Sequence, residues 1–429
     1  MLGDADFRRL WAGQTASQLG EHATLVVLPL LAVLTLGAGP GELGVLRAVG
    51  QAPALLLSLL AGAWVDRWRT RTTMVLADAG RALLLGAAAL AGLLGGLGLP
   101  ALFALAFAVG ALSVFFDVAY QTSLVRLVRR DLLVRGNSAL EGSRSAAQTG
   151  GPALGGALVS ALSAPFATAC GGLLFALSFL SIRRIRRDEA IPQRTAGSQR
   201  ASDRPRAAAW RQIGEGLRFV AHEPLLRAVC AASAVFQLSF AAMTTVYLLF
   251  LPRELHLSGA VVGLALAATG PGALLGSLLA ARLPRRLGYG PVIVVAAALG
   301  DGAFLCVPAL HGPPRATVPA LLAVGLLFGS GGQLVNVALM AVRQAVTPDA
   351  MQGRAAATLT FTGMGTAPLG SLLGGFLAAA LGLRTGLLVT AAAMLLSPVL
   401  LALSPLGRLG RELPLKEAQS GSGGADAKP

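Results

Sequence analysis

The chain has 429 residues, of which 55% are hydrophobic and 13% charged, with a formal net charge of +15; its mean hydropathy is +0.69. Soluble domains carry about a quarter charged residues, so this composition excludes a string of soluble domains, and with no polar stretch long enough to form an ectodomain it also excludes a single-span receptor. At ~20 residues per crossing, about twelve helices fit, and the placement of the positive charge argues against a nucleic-acid partner.

Apolar stretches of spanning length run over 10–36, 43–65, 73–97, 100–125, 138–162, 165–183, 226–251, 258–281, 291–310, 316–342, 356–381 and 385–404. Gly and Pro mark the joints, as in Gly37-Ala38-Gly39-Pro40, Gly98-Leu99-Pro100 and Gly312-Pro313-Pro314. The first stretch holds Gln14, Gln18, Glu21 and His22, too polar for a signal core and suited to a functional helix. The pattern predicts an all-α membrane protein of twelve transmembrane helices in two six-helix bundles, 1–183 and 226–404. A basic linker over 184–225 separates them, and a Gly/Ser-containing tail over 405–429 follows.

Charge asymmetry across the loops predicts the orientation. With the N-terminus in the cytoplasm, 29 of the 35 Lys and Arg residues fall in inside loops and tails. Arg253, Arg315 and Arg384 fall outside, and Arg47, Arg81 and Arg144 lie within spans. Positive charge gathers on the cytoplasmic side of membrane proteins, so both termini and the linker are expected there. Within the linker, Trp210 to Phe219 has the pattern of an interfacial helix or of a solvated segment beside anionic lipid.

The halves repeat with a nearly constant offset. Ser58-Leu59-Leu60-Ala61-Gly62 recurs as Ser277-Leu278-Leu279-Ala280-Ala281, and Gly155-Gly156 recurs at the same offset as Gly374-Gly375. Pro53 corresponds to Pro271 and Asp131 to Asp349, one position short of that offset. Parallel repeats of this kind place a substrate site between the halves near the bilayer midplane and permit alternating access.

Polar residues inside spans are costly and mark pathways. Gln14, Gln18 and Glu21 share one helical face, with Glu21 deep in the first span; it is the first choice for a substrate or proton site. Ser113, Asp117 and Gln121 share a face of the fourth span. Gln148, Gln237, Asp301 and Asn336 complete the expected pathway. Asp78 with Arg81, and Glu141 with Arg144, read as i, i+3 ion pairs near cytoplasmic ends that stabilise one access state. Phe236, Phe240, Met243 and Tyr247 form a stripe on the seventh span, which suits helix packing or, facing a cavity, a lipophilic substrate.

Two motifs carry a resemblance. The loop after the second span reads Gly62-Ala63-Trp64-Val65-Asp66-Arg67-Trp68-Arg69-Thr70-Arg71. The fifth span holds Gly150-Gly151-Pro152-Ala153-Leu154-Gly155-Gly156, with a copy at Ala367-Pro368-Leu369-Gly370 and Gly374. Pro152 allows a bend, and Gly151 and Gly155 allow close helix approach. With Phe7-Arg8-Arg9-Leu10-Trp11 and Pro348-Asp349 through Gly353-Arg354, these segments resemble the major facilitator superfamily, in particular its branch of macrolide and siderophore exporters, from about Phe7 to Leu413. The resemblance implies the major facilitator fold, a gating motif of Gly62, Asp66, Arg67 and Arg71, and a helix-bending exporter motif of Gly151, Pro152, Gly155 and Gly156. Asp66, at a helix C-terminus where its charge is unfavourable, is expected to latch onto the start of span eleven near Gly353-Arg354. The Arg that drug/proton antiporters often carry in their fourth helix has no counterpart between Val109 and Tyr120.

The expected function is therefore secondary active export of a small amphipathic or lipophilic compound, such as a drug, antibiotic or siderophore-like metabolite. Proton coupling through Glu21 and Asp117 follows from the resemblance, as does a monomer in the inner cell membrane. An uptake symporter and a non-transporting scaffold are the alternatives. No enzyme, cofactor or metal centre is expected. Neither Lys416 nor Lys428 follows a phosphate-binding glycine loop, the four His are scattered, and Cys170, Cys230 and Cys306 lie singly in apolar runs.

Overall fold

The computed structural model describes residues 5–65, 68–127, 133–185, 214 and 217–412. In the first half α1 spans Ala5–Leu34, α2 Pro40–Val65, α3 Thr70–Leu93, α4 Leu99–Leu127, α5 Leu133–Leu162 and α6 Ala164–Arg183. In the second, α7 spans Pro224–Arg253, α8 Gly259–Ala280, α9 Tyr289–Ala309, α10 Pro314–Val346, α11 Asp349–Leu381 and α12 Leu383–Leu403. No strand occurs among the described residues. Ten of these helices are long and apolar enough to cross a membrane; α2 and α5, 26 and 30 residues long, are the others. Helices suit this role because every backbone group is satisfied within the segment.

Prolines set the irregularities. Helix α8 breaks at Ala268 just before Pro271, and α12 breaks at Leu395 just before Pro398. Helix α9 tightens into a 3-10 turn over Ala303–Ala309 around Pro308. A proline ring removes a donor and crowds the preceding turn. Within the first half α1 packs on α5 and α6, and α3 on α4 and α6; within the second, α11 packs on α7 and α10 on α8. Between the halves the main seams are α2 with α11 and α5 with α8.

Those seams show the repeat in three dimensions. A Cβ on Gly44 would stand 2.8 Å from the Ser371 carbonyl oxygen and 3.0 Å from Gly375 Cα. The repeat-related pair behaves alike: a Cβ on Gly263 would crowd the Pro152 carbonyl and stand 3.0 Å from Gly156 Cα. Backbone conformation repeats too. Gly37 and His256 both have positive φ (67° and 51°), as do Ser163 and Gly382 (95° and 84°), and both pairs are related by the repeat.

At Ser163 the conformation, φ 95° and ψ 160°, lies in a region occupied essentially by Gly. Its repeat mate is a Gly in the same conformation. Ser163→Gly is thus expected to relieve strain of order 1–3 kcal/mol and raise the melting temperature of the detergent-solubilised protein by several degrees. A lower melting temperature would show that the turn is not strained.

The two bundles meet at one end and part at the other. At the end carrying the 35–39 and 254–258 turns, Arg253 of α7 donates to the Ala38 carbonyl at 2.6 Å and to that of Gly37 at 3.2 Å. The Ala260 N–H donates to Ser160 Oγ at 2.6 Å. Towards the opposite end, α5 continues its Gly156 face with Gln148, Ser145 and Glu141, all exposed. Helix α11 continues its Gly375 face with Met364, Phe361 and Gly353, also exposed. The faces that touch at one end are bare at the other, which makes a cleft.

Candidate functional site

A charge cluster lies inside the first bundle. Arg81 stands eleven residues into α3, about 16 Å along it, and both its side chain and that of Asp78 are 0% exposed. They are joined directly, and Arg81 also lies 3.7 Å from Glu21 of α1. Hydroxyl groups from three helices complete the network. Arg81 donates to Ser17 Oγ at 3.0 Å and to Ser113 Oγ at 3.1 Å. Ser17 donates to Asp78 Oδ1 at 3.2 Å, and Ser178 of α6 donates to Oδ2 at 2.5 Å.

Two aromatic rings enclose the guanidinium. Its central carbon is 4.5 Å from the Phe116 centroid and 4.3 Å from that of Phe175. A planar delocalised cation stacks well on aromatic faces, so these rings replace water around Arg81. Glycines and small residues bring the helices close enough for this: a Cβ on Gly13 would stand 2.7 Å from Ile182, and one on Gly155 would lie 3.2 Å from Ala23 Cα.

The cluster carries more negative than positive charge. Asp78 is sealed against Arg81, whereas Glu21 keeps 26% of its side chain exposed and buries Oε2 without a hydrogen bond. Asp117 of α4 lies within electrostatic range of Glu21, Arg81 and Arg144. One enclosed guanidinium thus serves three carboxylates, and a proton or a cationic group can neutralise the excess. On the same face of α1, Gln18 is buried, and Gln14 buries both amide atoms without a hydrogen-bond partner among the described residues.

The structure therefore brings Glu21 to within 3.7 Å, and Asp117 to within electrostatic range, of a pair that reads from the sequence as a local one near a cytoplasmic end. Asp78 and Arg81 are instead an interior hub. Glu141 and Arg144 do form an exposed pair, at 3.6 Å. The second-half residues stand apart from this cluster: Asp301 is buried in α9, Gln237 half-buried beside Gly363, and Asn336 exposed on α10, while Gln148 is exposed on the cleft face of α5.

The aromatic stripe of α7 is packed. Phe236 and Phe240 stack on each other at 5.5 Å and on Phe328 of α10 at 6.4 and 5.4 Å. Phe304 meets Phe328 and Tyr247 edge-on, continuing the column towards α9. Of the loop motif, Asp66 and Arg67 lie outside the described residues, Gly62 ends a turn before the close of α2, and Arg71 donates to the Arg183 carbonyl at 2.5 Å. Most of the Trp210–Phe219 segment also lies outside them. In the fifth-span motif, Gly151 and Gly155 face His22 and Ala23 of α1, and Gly156 faces α8.

Known proteins agree with this architecture. The multidrug efflux pump Tap of Mycolicibacterium fortuitum is 28% identical over 406 residues, covering 92% of this chain and 94% of the relative. A Mycobacterium tuberculosis protein of the same description is 29% identical over 390 residues, 87% of each chain. Among solved structures, a bacterial homologue of the iron transporter ferroportin in an inward-facing state superposes with a TM-score of 0.72 at 18% identity, over 92% of this chain and 97% of that one. A bacterial homologue of the lysosomal transporter Spinster, inward-facing and unoccupied, gives 0.69 at 12% identity, over 92% and 95%. The family model described as transmembrane secretion effector matches residues 2–417, and the chain belongs to that family of the major facilitator superfamily.

Proposed function

We propose that the protein is a proton-coupled exporter of small amphipathic or lipophilic compounds that works by alternating access. The observation that carries this reading is the charge cluster of Glu21, Arg81, Asp78 and Asp117 in one wall of a bundle pair that parts at a single end. The multidrug description of its relatives supports export over uptake. In this reading α2 and α5 also cross the membrane, both termini are cytoplasmic, and the cleft opens to the cytoplasm of the cell carrying it in its inner membrane. The protein acts as a monomer, with the 184–225 linker joining the bundles.

Glu21 and Asp117 carry the coupling proton. A proton on Glu21 removes its charge and loosens its tie to Arg81, which Asp78 continues to hold. Substrate enters from the open end, and the seams of α2 with α11 and α5 with α8 separate when the other end opens. Asp301, Gln148, Gln237 and Asn336 line the remaining path.

The test is Glu21→Gln in proteoliposomes, which keeps size and hydrogen bonding but cannot titrate. Gradient-driven accumulation of a fluorescent amphipathic dye is expected to fall to the level of protein-free vesicles, while dye–dye exchange without a gradient continues. Full gradient-driven accumulation by the variant would remove Glu21 from the coupling path.

A further inference from the structure

Helix α2 holds a second membrane-embedded arginine that the charge cluster does not use. Arg47 lies seven residues into α2, about 10 Å from the end where the bundles touch. It forms no ion pair or hydrogen bond among the described residues, and its Nε is buried without an acceptor. One turn further, Gln51 donates to Ser371 Oγ of α11 at 3.3 Å across the seam, while its own Oε1 is buried without a donor. Gly44 of the same helix packs on Ser371 and Gly375, and Gly50 and Pro53 pack on α4 near Ala106 and Gly110. Leu56, 59% exposed, lies about 180° round the helix from Arg47. The arginine therefore points inward, to the space between the bundles, and away from the outer surface. Both side chains remain part-exposed.

The repeat shows that packing does not require these groups. At the repeat-related positions, α8 carries Leu266 and Gly270. A charge inside a membrane protein is costly unless paired, and such residues mark ligand sites. An unused N–H donor of a cation and an unused acceptor one turn apart match an oxyanion with a neighbouring N–H or O–H. Planar guanidinium favours carboxylate and phosphate by charge-assisted hydrogen bonds.

We propose that Arg47 and Gln51 form the subsite that receives an oxyanion, a carboxylate or phosphate, carried by the transported compound at the closed end of the cleft. This rests on the exporter reading and narrows its substrates to compounds that pair an apolar body with an anionic group.

The experiment measures binding of three fluorescent probes to the full-length protein in detergent: dansyl-leucine, its methyl ester, and dansyl-ethanolamine phosphate. Wild type is expected to bind dansyl-leucine or the phosphate about tenfold or more tightly than the ester. Stronger binding of the acid than of the phosphate marks a carboxylate site, and the reverse a phosphate site. Arg47→Gln is expected to lose this preference while keeping ester affinity within about twofold, and Arg47→Lys to keep part of it. Because Arg47 has no partner among the described residues to orphan, the Gln variant should fold as wild type does, judged by its elution profile. Equal binding of the charged and neutral probes by wild type, no saturable binding of either anion, or an unchanged preference in Arg47→Gln overturns the proposal. Binding requires no gradient, so these outcomes are read separately from pH-driven accumulation, whose absence counts against the exporter reading instead.

Discussion

Arg81→Gln is expected to cost about 3–5 kcal/mol of stability and to abolish gradient-driven transport. The variant leaves Asp78 sealed in the bundle with, among the described residues, Ser17 and Ser178 as its remaining side-chain donors and no cation paired with it. It also removes the filling between Phe116 and Phe175. A buried charge stripped of its partner is far more damaging than loss of the pair as a whole. The double variant Asp78→Asn with Arg81→Gln is therefore expected to recover much of the folded yield and melting temperature, since two amides can hydrogen-bond each other and the surrounding hydroxyls. It should not recover coupling, because Glu21 and Asp117 then lose the enclosed cation that they share. Wild-type transport by the double variant would reduce the cluster to a packing device.

How far the sequence reveals this site depends on the kind of interaction. The repeat is legible because Gly and Pro landmarks recur at one spacing, and the same step relates the Gly44–Gly375 contact to the Gly263–Gly156 contact, and Ser163 to Gly382. Glu21 stands out as a carboxylate deep in an apolar span. Arg81 does not, because Asp78 three residues away offers a local partner that satisfies the pattern. Its position eleven residues into α3 is the signal that the pair is too deep for a loop-end bridge. The remaining partners, Ser17, Ser113, Ser178, Phe116 and Phe175, come from three other helices, and only packing brings them together. Arg47 is legible only as a charge within a span; that it has no partner among the described residues is a matter of packing, which the sequence does not show.

The glycine motif divides into two functions that one substitution each can separate. Adjacent residues on α5 face different helices: Gly155 faces α1 within its own bundle, with Ala23 Cα 3.2 Å from an added Cβ. Gly156 faces α8 of the other bundle, where an added Cβ would crowd the Gly259 carbonyl and stand 2.8 Å from Gly263 Cα. Backbone atoms on both sides cannot step aside as a flexible side chain could. Gly155→Val is expected to lower the folded yield, because the contact it breaks exists in every access state. Gly156→Val is expected to fold, because its clash arises only when the bundles close at that end. Overpacking of about 1–3 kcal/mol against one state shifts a two-state equilibrium by up to about 100-fold. The population should move to the state parted at the 35–39 and 254–258 end, and turnover should fall with it. Cysteines placed at Ser160 and Ala260, with Cys170, Cys230 and Cys306 replaced, report on this closure, since the native pair is joined by a 2.6 Å hydrogen bond. Cross-linking should be ready in the parent and lost in Gly156→Val, while Gly353→Val, where an added Cβ meets nothing within 4 Å, leaves it intact. Undiminished cross-linking and turnover in Gly156→Val would mean that the seam of α5 with α8 yields without cost, and that the glycines serve packing alone.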